Sequence, residues 1–64
     1  MDAVKEQIEA IMDKHGVVRT LEMIAEICAE KADHLRSNWQ DDVSATEWDL
    51  ISSAVDSAVE RVRE

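Results

Sequence analysis

Proline, tyrosine and phenylalanine are absent from this 64-residue sequence, and glycine and cysteine each occur once. Without proline, and with a single glycine, the tight turns of a sheet protein have no residues to form them, so helix is the default. The lone Cys28 cannot close an internal disulfide, and His15 and His34 stand too far apart for a structural zinc pattern. Nothing staples the chain. It holds at most one domain, in a size range where a single core supplies only marginal stability, so self-association is open to it. No stretch approaches the ~20 apolar residues that span a bilayer. The opening Met1-Asp2-Ala3-Val4-Lys5-Glu6 has acids where a secretory leader needs a basic start and an apolar run. The expectation is a cytoplasmic protein, which a lone thiol fits.

Positive charge is scarce as well. Fifteen Asp and Glu stand against seven Lys and Arg, a formal net charge of −8. Direct contact with DNA, RNA or an anionic membrane is disfavoured, because each needs a basic footprint. Between Ser37 and Glu60 there is no Lys or Arg, while Asp41, Asp42, Glu47, Asp49, Asp56 and Glu60 supply six negatives.

Periodicity divides the chain into three helices. Val4, Ile8, Ile11 and Met12 recur at helical spacing from about residue 2 to residue 14, and Gly16 follows where a C-terminal cap with positive φ is wanted. A second stripe, Val17, Leu21, Ile24, Cys28, Ala32, Leu35 and Trp39, runs for roughly six turns. Ile27 widens it on one side and Val18, Ala25 and Ala29 on the other, to an arc of about 200° that can contact two other helices. Residues 37–43 break the pattern and read as a turn. Ser44, with Glu47 three residues on, reads as the N-cap of a third helix carrying Trp48, Ile51, Val55, Ala58, Val59 and Val62 and ending near Arg63.

The expected architecture is therefore an all-α three-helix bundle. The second and third helices form an antiparallel hairpin, with the shorter N-terminal helix packed across them. Trp39 and Trp48 then fall near one end and are expected to cap the core. The first and second helices span about 19 and 33 Å at 1.5 Å per residue, so part of the long helix lacks a cover that a homodimer could supply.

Enzymatic and metal-binding readings find little support. Glu30 and His34 stand one turn apart with Glu26 nearby, yet a carboxylate-bridged centre needs several inward-facing ligands, and a surface pair explains the spacing. Cys28 lies mid-stripe as a packing thiol rather than an exposed nucleophile. There is no glycine loop for a phosphate and no Ser, His, Asp set. A helix-turn-helix around Gly16 would need phosphate-binding side chains on the outer face of the following helix, which offers Glu22, Glu26 and Glu30 instead. Neither an enzyme nor a cofactor is expected.

What remains is the acidity. Asp2/Glu6, Glu9/Asp13, Glu22/Glu26, Glu26/Glu30 and Asp56/Glu60 are like-charged i,i+4 pairs, each costing about 0.2 to 0.5 kcal/mol, with Lys5/Glu9 the favourable exception. A bland reading makes these charges a solubility device. The sharper one makes them a recognition surface, in which Glu22, Glu26, Glu30, Asp33, Asp41, Asp42, Glu47 and Asp49 imitate phosphate rows for a basic protein, with Trp39 and Trp48 as the candidate aromatic anchors.

The run from Ile27 to Asp41, with its Glu30-Lys31-Ala32-Asp33-His34-Leu35-Arg36-Ser37-Asn38-Trp39-Gln40-Asp41 core, followed by Trp48, resembles small uncharacterised helical proteins of bacteria and their phages. About half the chain is covered, and the resemblance implies no activity. In type alone, a small acidic protein of this kind is similar to anti-CRISPR and other host-takeover inhibitors, some of which mimic nucleic acid. The functional expectation is an inhibitor or regulator that binds a basic, nucleic-acid-handling protein. Its alternative is a homo-oligomeric structural or adaptor protein whose apolar arc is its own interface, and burial of Met23 and Ile27 between chains would favour that alternative.

Overall fold

The computed structural model describes residues 2–63 and is all-α. Helix α1 is Ala3–His15, α2 is Val17–His34, a turn of π-helix follows at Leu35–Trp39, and α3 is Asp42–Arg63. No helix among the described residues is long and apolar enough to cross a membrane.

Each boundary has a chemical cause. Asp2 caps α1, its carboxylate accepting from the backbone N–H groups of Val4 and Lys5 at 3.0 and 3.2 Å. Gly16 ends α1 at φ 85° and ψ 159°, a conformation open essentially to glycine alone, and its N–H donates to the Met12 carbonyl at 2.7 Å. The same residue starts α2, because its carbonyl accepts from both the N–H and the hydroxyl of Thr20. One residue thus serves both helices.

The hairpin of α2 and α3 forms as the sequence predicts. Its seam is built from small side chains: Ala25, Cys28 and Ala32 from α2 are buried against Ala45 and Val59 from α3. Small seam residues let two helix axes approach closely. Across the seam the Ser52 hydroxyl donates to the Ala25 carbonyl at 3.0 Å. Arg36 pairs with Asp49 near the hairpin tip, and Arg63 pairs with Glu22 at 3.0 Å toward the open end. These exposed pairs fix register more than they add stability.

The shorter N-terminal helix takes a different place from the one expected of it. Helix α1 lies against α2 alone, makes no contact with α3, and contributes no buried residue. A helical hairpin needs a connection of roughly two to five residues to reverse direction, and Gly16 is one. The molecule is correspondingly open, with extents of 37 × 33 × 16 Å.

Candidate partner-binding surface

The hairpin tip begins where α2 loosens. The Asn38 amide donates to the His34 carbonyl at 3.3 Å and lies 2.9 Å from His34 Nδ1. A side chain that competes for a backbone carbonyl in this way accompanies the change from α to π winding. Gln40 then adopts φ 51° and ψ 33°, and the N–H groups of both Gln40 and Asp41 return to the Leu35 carbonyl. The turn expected over residues 37–43 is thereby compressed to Gln40 and Asp41.

Ser44 does not cap α3. Asp41 does: its carboxylate accepts from the Ser44 N–H at 3.1 Å, and its carbonyl accepts from Ala45. Aspartate at this position also favours the positive helix terminus, which a serine cannot do. Hydrogen bonds from Ser44, chiefly its backbone N–H, hold the Asp41 carboxyl below the ordinary carboxylate range.

The two tryptophans part company. Trp48 is half-buried, with Lys31 Nζ 5.5 Å from its ring centroid, a cation–π arrangement. Trp39, expected to cap the core, is 70% exposed, because the π turn carries it past the end of the α3 seam. Val43, in the first turn of α3, is 75% exposed. Its place in the expected 37–43 turn gives no sign of this role beyond an apolar residue standing amid acids.

Of the acids expected to meet a partner, the structure sorts three into internal pairs. Glu22 is held by Arg63, Glu26 by Arg19 at 3.5 Å along the same helix, and Asp49 by Arg36. Asp41 is spent on its cap. Glu30, Asp33, Asp42 and Glu47 make no ion pair among the described residues. Arg36 lies within electrostatic reach of two of them, Asp33 and Asp42. Its guanidinium is raised above its usual range, mainly by the Asp49 hydrogen bond and further by the charges of Asp42 and Asp33.

A second surface is apolar. Ile8 and Ile11 of α1 and Met23, Ile24 and Ile27 of α2 line an open groove of 380 Å³ between these helices. Ile27 also lines a second cleft, with Glu30, Lys31, His34, Leu35 and Trp48, and so stands between the two depressions. Cys28 is buried in the seam and lines neither depression, and among the described residues no three His, Cys, Asp or Glu side chains gather where they could hold a metal ion.

The fold and these surfaces define an open helical protein with a polar tip and an apolar groove. Comparison with protein-family models, curated proteins and solved structures finds no match for this chain.

Proposed function

We propose that this is a non-enzymatic cytoplasmic interaction protein, an inhibitor or regulator that presents its hairpin tip to a basic surface on a nucleic-acid-handling protein, in the manner of a nucleic-acid mimic. The observation that carries this reading is Trp39, 70% exposed at the tip of a hairpin whose two helices carry acids that make no ion pair among the described residues. A large exposed aromatic ringed by charge is the arrangement of an interface anchor: the ring supplies desolvation energy and the acids speed encounter. The recognition surface narrows accordingly. Trp39, Val43, Glu30, Asp33, Asp42 and Glu47 form it, while Glu22, Glu26, Asp41 and Asp49 serve the fold.

The test is capture from bacterial lysate on the purified protein at low and high salt, alongside Trp39→Ala and a variant reversing Glu30, Asp33, Asp42 and Glu47 to Lys. A basic protein should be retained at low salt, released at high salt or by added duplex DNA, and lost with either variant. Retention that ignores salt or survives both variants contradicts the reading.

The apolar groove favours a second reading, a homo-oligomeric structural or adaptor protein without a nucleic-acid-related partner. Under it the free acids only keep the assembly dispersed, and the tip variants change nothing.

A further inference from the structure

We infer that the groove between α1 and α2 is filled by a second copy of this chain, in a two-fold dimer where α1 of each copy lies across the α2–α3 face of the other. The inference is independent of what the hairpin tip binds.

The first argument is area. A compact monomer of 7.2 kDa exposes about 4,100 Å². This chain exposes 5122 Å². The surplus, about 1,000 Å², compares with the ~800 Å² that each partner buries in a stable protein–protein interface. Dimension agrees with area: the radius of gyration is 13.6 Å, against about 11 Å for a compact domain of this length.

The second argument is where the surplus lies. Val4, Ile8 and Ile11 on α1, Ile24 and Ile27 on α2, and Ile51 and Val62 on α3 are each between 39% and 63% exposed. With roughly 150–200 Å² for a fully exposed Val or Ile residue, they present about 600 Å² of apolar surface, at the top of the ~300–600 Å² that the largest patch on a monomer ordinarily reaches. Four of them line one groove. Ile8 and Ile11 face Ile24 and Ile27 across the groove, and Ile27 reaches the cleft under Trp48. Ile51 stands one turn from both Trp48 and Val55 on the same flank of α3.

The third argument is self-complementarity. A two-fold interface requires one surface to offer both the ridge and the groove. Helix α1 is a ridge with an apolar stripe and no buried residue, and it is also one wall of the groove. Within its own chain it cannot reach α3, because the one-residue Gly16 connection directs it away. In the partner it can. Of the acids of α2, Glu30 lines the cleft beside the groove, where it stands with Lys31 and His34, and the groove itself is lined by no acid among the described residues.

The test uses the intact chain. Sedimentation across a micromolar concentration series should show twice the 7.2 kDa chain mass, falling to the monomer on dilution. Ile8→Glu and Ile27→Glu should each shift it to monomer, whereas Glu26→Lys and Trp39→Ala should leave it dimeric, which separates this inference from the proposed tip function. A second readout does not depend on how well the glutamate variants fold. In a Cys28→Ala background, chains with Ile8→Cys mixed with chains with Ile51→Cys should form a mixed disulfide well in excess of an Ile8→Cys and Glu26→Cys control pair. Monomer mass at every concentration, or no excess of the mixed disulfide, overturns the inference. A complex formed only with a foreign helical protein does so too.

Discussion

Ala32→Leu strikes the hairpin at its tightest point. Ala32 and Ala45 are both 0% exposed, on opposite sides of the α2–α3 seam, and Ala25 and Cys28 are 4% exposed next to them. Leucine adds three carbons where no surface is left to receive them. Overpacking of this kind costs about 1–3 kcal/mol, because the helices must separate or the new side chain must leave its rotamer. A domain of this length has about 3–10 kcal/mol of stability in total, so the loss is a large fraction of it. The melting temperature should fall by roughly 5–20 °C, at 4–8 °C per kcal/mol for a domain this small. Thermal and urea unfolding followed by circular dichroism measures it, with Ala29→Leu as the control. Ala29 is exposed on the same helix, and leucine there should move the midpoint little. An Ala32→Leu protein as stable as the parent would refute the small-residue seam.

Gly16→Ala meets no atom within 4 Å, so its cost is backbone strain alone, about 1–3 kcal/mol at φ 85°, reduced by about 0.4–1 kcal/mol through the stiffer unfolded chain. Hydrogen exchange should speed up at the Gly16 and Thr20 amides first. Asp41 is held below its usual pKa by the bond from Ser44, so its contribution is full above the ordinary carboxylate value of 3.8 and is lost as pH falls through the depressed one. Asp41→Asn, which keeps a capping oxygen without a charge, should therefore show a smaller loss of melting temperature between neutral pH and pH 2 than the parent. For the tryptophans, Trp48→Phe should leave a red-shifted emission readily quenched by acrylamide, and Trp39→Phe a less accessible one, since Trp39 is 70% exposed and Trp48 half-buried.

Local order was legible in the sequence, and relations between distant residues were less so. The stripes of α1, α2 and α3 fixed three helices, because spacing of three and four reports one face directly. Gly16 could be placed as a terminator for the same local reason. What each stripe faces is a long-range matter. Val4, Ile8 and Ile11 read as a core face, yet α2 covers them only in part and α3 not at all, since periodicity is blind to the reach of a one-residue connection. Ser44 and Asp41 were both chemically fit to cap α3, and the π turn that ends α2 decided between them. The acidic ridge was legible as charge but not as pairing: Glu22 meets Arg63 from 41 positions away, and Asp49 meets Arg36 across the tip. Trp39 and Trp48 read alike in the sequence, and the 70% exposure of Trp39 follows a π turn that side-chain pattern does not encode.

The claim that ties these observations together is that one chain leaves its apolar surface incomplete and a second copy completes it. The most direct measurement is the melting temperature of the intact protein as a function of its own concentration. Linkage of folding to dimerisation predicts a midpoint that rises steadily with concentration, and one that Ile8→Glu makes flat. A parent midpoint independent of concentration, with full helicity retained at the lowest concentration, would contradict the account.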